Sequence, residues 1–167
     1  MMTLRAVRFA AAIVLALGAA ACSSNKDNMA DGAAGGFGAG GAATPGSAQD
    51  FVVNVGDRVF FETDSTDLTP TATATLDKQA QWLSRYPTYT FLVEGHADER
   101  GTREYNYSLS ARRAENVRDY LVSRGINASR FKTVSYGKER PVAVCNDISC
   151  WSQNRRAVTV LSTGAGA

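Results

Sequence analysis

The sequence is poor in the residues that metal sites and hydrolytic enzymes use. It has 167 residues but a single histidine, His96, and only three cysteines. A structural zinc site takes about four cysteine or histidine ligands, so every one of these four side chains would have to meet at a single ion. No serine or cysteine stands in a recognisable nucleophile motif; His96, Asp98 and Glu99 are the one grouping that a hydrolase or metal site could use. The composition therefore favours a binding protein over an enzyme.

An excess of charge of either sign is missing as well. The chain carries 18 Lys+Arg and 16 Asp+Glu. Arg5 and Arg8 belong to a predicted export signal, and its removal leaves 16 basic and 16 acidic side chains. Proteins that bind nucleic acids use a basic surface to attract phosphates, so we expect no nucleic-acid partner.

A long apolar run is also absent. The run at residues 9–17 is far shorter than the about 20 residues that cross a bilayer as a helix. Behind two arginines, it is typical of an export signal, here residues 1–21. Three alanines before Cys22 resemble the lipobox of bacterial lipoproteins, which predicts acylation of Cys22, and Ser23 after it favours the outer membrane. Ordinary cleavage after an Ala-x-Ala site, with Cys22 left free, is the alternative.

The two other cysteines predict a disulfide. Cys145 and Cys150 are separated by four residues, and an exported protein folds in an oxidising compartment. Two free thiols, or half of a metal site, are the alternatives. Neither gains support from elsewhere in the chain, because His96 is the only histidine.

Composition divides the exported chain into three parts. Residues 22–50 are Gly, Ala, Ser and Asn with few bulky apolar side chains, so we expect a flexible tether behind the anchor. Random-coil scaling gives such a tether an r.m.s. span of roughly 30 Å. Residues 51–163 have the length of one domain with its own core, and we expect residues 164–167 to be a short flexible tail.

The pattern of apolar residues predicts alternating strands and helices. Strands are expected at residues 57–63, 89–94, 132–136 and 157–161, and helices from Thr69-Pro70 to Pro87 and from Thr102 to Gly125. This order predicts an α/β fold, in detail an α+β two-layer sandwich, with a small mixed four-stranded sheet and helices packed on one face. The loops at 63–67 and 96–102 follow strands, and we expect them to converge on a site.

The second helix carries polar residues on its apolar face. Leu109, Val117 and Leu121 fall on one stripe of a 3.6-residue helix, and Asn106 and Arg113 fall on the same stripe. A buried guanidinium left without a partner costs several kcal/mol. Arg113 is therefore expected to meet either an internal carboxylate or the carboxylate of a ligand.

Three stretches of the domain resemble a known family. GHADERGTREYNYSLSARRAENVRDYL, SYGKERP and NRRAV are similar to the OmpA-like domain family, and within it to the peptidoglycan-associated lipoproteins. The resemblance covers residues 55–161 and implies non-covalent binding of the peptidoglycan stem peptide through its diaminopimelate residue. It also implies an outer-membrane lipoprotein of the Tol–Pal system, active in envelope integrity and cell division, with TolB and other Tol proteins as partners. A protein-interaction module in the periplasm is the alternative.

The resemblance also assigns roles to individual residues. It implies that Asp98 holds the ammonium of diaminopimelate and that Arg113 holds its carboxylate. Contacts to the same peptide are implied for Asp64 and Arg100, and a role in shaping the pocket is implied for Asn106 and Leu109. Thr63 stands where the family often has an aromatic residue.

The charges of diaminopimelate support the assignment of Asp98 and Arg113 independently of the resemblance. A side chain that ends in both an ammonium and a carboxylate needs an acidic and a basic group close together, and Asp98 and Arg113 can supply them. The alternative is an internal Asp98–Arg113 salt bridge that fixes the loop on the helix. Arg112, Arg155 and Arg156 are interpreted as solvated structural arginines, with a place on the wall-binding or the TolB-binding surface as the alternative.

Overall fold

A four-stranded mixed sheet organises the domain. The computed structural model describes residues 43–163. The strands are β1 (Arg58–Phe60), β2 (Tyr89–Gly95), β3 (Phe131–Ser135) and β4 (Arg156–Thr163), in the order β1-β4-β2-β3. β4 pairs antiparallel with β1 and β2, and β2 pairs parallel with β3. The predicted α+β architecture with a small mixed sheet is confirmed.

Two long helices begin and end where local signals place them. They are α2 (Pro70–Arg85) and α3 (Arg103–Ser123). The side chains of Thr69 and Thr102 cap them by accepting hydrogen bonds from backbone N–H groups in the first turn. α3 ends before Gly125, whose φ of 92° lies in the left-handed region that glycine adopts without strain.

The core lies between these helices and one face of the sheet. Sixteen buried apolar side chains form one cluster, among them Leu76, Leu83, Val93, Val117 and Leu121. α3 packs against β2 so closely at Gly95 that a Cβ there would lie 1.9 Å from the carbonyl oxygen of Ser110. This close approach holds the middle of α3 against the end of β2.

Folded structure begins before residue 51. A short helix, α1 (Ala48–Asp50), and a π-helical segment, Phe51–Val55, pack onto α2. Asp50 accepts a hydrogen bond of 2.8 Å from the indole of Trp82, and Phe51 is fully buried with its ring 5.0 Å from that indole. The C-terminal end of the predicted tether is thus part of the domain. Residues 1–42, with the export signal and Cys22, and the tail at 164–167 lie outside the described residues.

Two further short helices follow α3. They are a 3-10 helix at Ala128–Arg130 and α4 (Ile148–Asn154), and neither was predicted. α4 begins inside the ring closed by the Cys145–Cys150 disulfide, where the two Cα atoms are 5.6 Å apart. The predicted disulfide is therefore present. β1 is shorter than the predicted strand at 57–63, since after Phe60 the chain pairs only through the Phe61 N–H and the Arg155 carbonyl.

Candidate ligand-binding site

The loops that follow β1 and β2 meet, as predicted, over the first turn of α3. Together they enclose a cavity of about 280 Å³, lined by Thr63, Asp64, Asp98, Arg100, Gly101, Tyr105 and Asn106. The hydroxyl of Tyr105 donates to the carboxylate of Asp64, which ties the first loop to α3. Asp64 has a φ of 58°, a left-handed conformation that non-glycine residues seldom adopt. A strained residue at the rim of a polar cavity is typical of a functional site.

Asp98 is the acidic centre of this cavity, and two arginines already hold it. Its Oδ1 accepts from the backbone N–H of Arg100 at 3.2 Å and from Nε of Arg100 at 3.1 Å. Its Oδ2 accepts from Nη2 of Arg100 at 2.6 Å and from Nη1 of Arg155 at 3.3 Å. Burial alone raises the pKa of Asp98, but the hydrogen bonds from Arg100 and Arg155 outweigh it and lower this pKa below its usual value. Asp98 is therefore a fixed, ionised carboxylate.

Arg113 lies beneath the cavity and is fully buried. It donates from Nε to the carbonyl of Ser65 at 2.9 Å, from Nη1 to that of His96 at 3.0 Å and from Nη2 to that of Glu62 at 3.1 Å. Burial and repulsion from Arg155 lower its pKa to about 10, so it stays charged at neutral pH. The expectation of a carboxylate partner within the protein is wrong, as is the alternative of an Asp98–Arg113 salt bridge. Both loops turn their backbone carbonyls toward α3, and these carbonyls satisfy the guanidinium.

The two other residues expected to shape the pocket are buried in α3. The Nδ2 atom of Asn106 donates to the carbonyl of Arg100 at 2.6 Å and to that of Thr102 at 3.1 Å, which closes the loop onto the helix. Leu109 is buried one turn further on and, like Arg113, does not line the cavity. These side chains hold the walls in place from behind.

The interpretation of Arg155 and Arg156 as solvated residues is wrong. They are 5% and 4% exposed, whereas Arg112 is exposed. Arg155 donates from Nε to the carbonyl of Phe61 at 3.0 Å and contacts Asp98, so it belongs to the site. Arg156 donates to the carbonyls of Asn154 and Arg140. No local pattern could have found Arg155, because its partner lies 57 residues away in sequence.

Trp151 was also missed, and it connects the disulfide segment to the site. Its indole N–H donates to the carboxylate of Glu99. The guanidinium of Arg100 lies over its ring, 4.2 Å from the ring centroid. Lys138 fastens the same loop from below by donating to the carbonyls of Glu99 and Gly101 at 3.0 and 2.7 Å. Three separate segments thus position the residues around Asp98.

The described part of the chain shows neither a metal site nor a membrane span. Within residues 43–163, no three His, Cys, Asp or Glu side chains group so that they could hold a metal ion. No helix in that range combines the length and the apolar character needed to cross a bilayer.

The chain is similar to a family model, to named proteins and to a solved structure. The OmpA family model matches residues 60–155. The chain is 66% identical over 156 residues to the peptidoglycan-associated lipoprotein of Rhizobium meliloti (strain 1021), covering 93% of this chain and 88% of the relative. It is 67% identical over 156 residues to the protein of that name from Agrobacterium fabrum, with coverages of 93% and 87%. The crystal structure of the peptidoglycan-associated lipoprotein from Burkholderia pseudomallei superposes with a TM-score of 0.65 at 37% identity, covering 70% of this chain and all of that one.

Proposed function

This chain belongs to the OmpA family and, within it, to the peptidoglycan-associated lipoproteins, and we propose that it ties the outer membrane to the cell wall by binding peptidoglycan non-covalently. The named relatives are lipoproteins rather than enzymes, and the chain is not an enzyme. One observation carries the proposal. The buried, ionised carboxylate of Asp98 lies in the wall of a cavity of about 280 Å³, and the guanidinium groups of Arg100 and Arg155 contact this carboxylate.

The proposed ligand is the diaminopimelate residue of the stem peptide. Its side chain ends in an ammonium and a carboxylate, and the cavity offers a partner for each. We assign the ammonium to Asp98, supported by the hydroxyl of Tyr105 and the carboxylate of Asp64 at the opposite rim. Asn106 and Leu109 support the walls from α3.

The ligand carboxylate is assigned to Arg113, with Arg100 as a second contact. A guanidinium has five N–H donors, and three of those on Arg113 are bound to backbone carbonyls. Arg113 is fully buried and does not line the cavity of the ligand-free protein, so a ligand carboxylate reaches the other two donors only when the loops that cover Arg113 move. In this assignment Arg113 is both a structural and a ligand-binding residue.

Calorimetric titration of the mature chain with two wall peptides tests the assignment. One peptide carries diaminopimelate and the other carries lysine, which brings the ammonium but no side-chain carboxylate. We expect the diaminopimelate peptide to bind about ten- to two-hundred-fold more tightly, because the lysine peptide leaves cationic donors without a partner. Equal affinities would refute the role of Arg113, and absence of binding to either peptide would refute wall binding itself.

Two substitutions test separately the proposed contact to the ligand carboxylate and the proposed contact to the ligand ammonium. Arg113→Gln removes the cation but keeps an amide that can reach a carbonyl, and it should reduce the preference for diaminopimelate. Asp98→Asn keeps the shape of the carboxylate and should weaken both peptides. Arg112→Gln is the matched control, since Arg112 lies next to Arg113 in sequence and is exposed. Circular dichroism of each variant verifies that it is folded.

Attachment at Cys22 and the outer-membrane location complete the proposal. The three acyl chains of a mature lipoprotein make detachment slow, at about 0.8 kcal/mol for each buried methylene. Cys22→Ser should leave a soluble or unprocessed protein. Normal fractionation of this variant with the outer membrane would contradict the anchor.

A role in the Tol–Pal system during envelope constriction, with TolB and other Tol proteins as partners, is also proposed. Beside the cavity, the segment around the disulfide exposes Val142, Val144 and Ile148 at 54%, 88% and 61%, an apolar surface that suits a protein partner. Val144→Asp should weaken capture of TolB by the purified chain. Val53→Asp, at a 67% exposed position in the π-helical segment, should leave it unchanged. Equal capture by both variants would exclude the disulfide segment from that contact.

A further inference from the structure

The carboxylate proposed to receive the ligand ammonium has no free acceptor position. An ionised carboxylate offers about four lone-pair sites. Asp98 uses two on Oδ1, for the backbone N–H and Nε of Arg100, and two on Oδ2, for Arg100 and Arg155. An incoming ammonium must therefore displace a donor that is already bound.

The two arginines differ in how easily they can leave. The side chain of Arg155 is 6% exposed and is held in place by the carbonyl of Phe61, so its release from Asp98 would leave a buried cation without a counter-charge. The side chain of Arg100 is 40% exposed and stands at the rim of the cavity. Arg100 is the donor that an ammonium can replace, because its guanidinium can turn into solvent at small cost.

Trp151 holds Arg100 in the position that blocks Asp98. The guanidinium stacks on the indole at 4.2 Å, and the indole is fixed by its hydrogen bond to Glu99. Trp151 is also the residue directly after Cys150, so the disulfide anchors the start of this platform. Stacking of a cation on tryptophan stabilises the contact and limits the rotamers of Arg100.

We propose that Arg100 and Trp151 form a latch that determines ligand specificity: stacked on Trp151, Arg100 occupies Asp98 in the free protein and moves to the ligand carboxylate when an ammonium takes its place. The latch rests on the proposed function and adds a selection step to it. A ligand with an ammonium alone must break the Arg100–Asp98 pair without compensation. A ligand that also brings a carboxylate gives Arg100 a new partner.

If the latch exists, removing the guanidinium of Arg100 should increase the affinity for a ligand that brings only an ammonium. Arg100→Gln in the mature chain should bind the lysine peptide about three- to ten-fold more tightly than the unmodified chain, because no ion pair has to be broken. The diaminopimelate peptide should gain less or lose affinity, so the ratio of the two affinities should fall. Arg103→Gln is the matched control, since its 74% exposed side chain pairs with Glu139 instead.

The affinity of two Trp151 variants for the lysine peptide tests the stacking contact separately. A residue that only supports the fold would not give the gain of affinity expected here. Trp151→Leu should also strengthen binding of the lysine peptide, by about two- to five-fold, the size of an exposed cation–π contact. Trp151→Phe should restore the original affinity, since a phenyl ring can still stack on the guanidinium although it lacks the indole N–H.

The outcomes separate the latch from the wall-binding function. If the unmodified chain discriminates between the peptides but neither Arg100→Gln nor Trp151→Leu gains affinity for the lysine peptide, the latch is wrong and wall binding stands. If Trp151→Leu and Trp151→Phe weaken both peptides alike, Trp151 is a structural support only and the latch is again wrong. If the unmodified chain binds neither peptide, the proposed function fails and the latch fails with it.

Discussion

Arg113 should contribute more to stability than any exposed residue of α3, and replacing it tests this directly. In Arg113→Ala, the carbonyls of Glu62, Ser65 and His96 lose their donor; the bond to His96 is buried and the other two are partly buried. A buried acceptor left without a partner costs about 1–3 kcal/mol. Relaxation and entering water reduce the sum, so we expect a loss of about 3–5 kcal/mol in the free energy of unfolding.

Such a loss is large on the scale of the whole domain. Domains of this size are stable by about 5–15 kcal/mol, so Arg113→Ala should lower Tm by about 10 °C or more. Arg113→Lys should be intermediate, because an ammonium keeps the charge but cannot reach three carbonyls arranged around a planar fork. Arg112→Ala, at the neighbouring exposed position, should stay within about 0.5 kcal/mol of the unmodified chain.

Urea unfolding followed by tryptophan fluorescence measures these differences, since Trp82 is buried in the core and Trp151 lies beside the site. Equal midpoints for Arg113→Ala and Arg112→Ala would refute the structural role of the three carbonyl bonds. A lower midpoint with unchanged peptide selectivity would instead remove Arg113 from the ligand site and leave its structural role intact.

Three further predictions concern the rest of the domain. Gly95→Ala should prevent folding or severely destabilise the domain, because the added Cβ would lie 1.9 Å from the carbonyl oxygen of Ser110; soluble expression with an unchanged Tm would contradict this. Reduction of the Cys145–Cys150 disulfide should cost at most about 3 kcal/mol and leave the fold intact, since the closed loop is short; mass spectrometry before and after reduction, with circular dichroism, distinguishes local from global loss. His96 is buried, and burial followed by repulsion from nearby arginines lowers its pKa from 6.5 to about 4. As pH falls from 6.5 toward 4, the unfolded chain takes up a proton on this histidine before the folded chain does, so the free energy of unfolding decreases. In urea unfolding, His96→Gln should lose less free energy of unfolding between pH 7 and pH 5 than the unmodified chain, and equal losses would contradict this role of His96.

The local signals in the sequence determined the helices and the order of the elements. α2 and α3 begin at Thr69 and Thr102 as predicted, because the cap of a helix depends on a side chain and a backbone N–H only three residues apart. The stripe that placed Asn106 and Arg113 on the buried face of α3 is equally local, since it follows from 3.6 residues per turn. The disulfide could be predicted because few cysteines were available to pair.

The partners of the buried charges were decided only by the tertiary structure. Arg113 meets carbonyls 17, 48 and 51 residues away in sequence, and Asp98 pairs with an arginine 57 residues away. Periodicity tells which face of an element is buried, but it does not tell which backbone or side-chain atoms from elsewhere arrive at that face. The same limit explains why α1 was assigned to the tether: its short polar sequence has no amphipathic pattern of its own, and Asp50 is held by Trp82 from a helix that begins 20 residues later. The sequence thus determined which residues needed partners, and the path of the chain through space determined which partners they received.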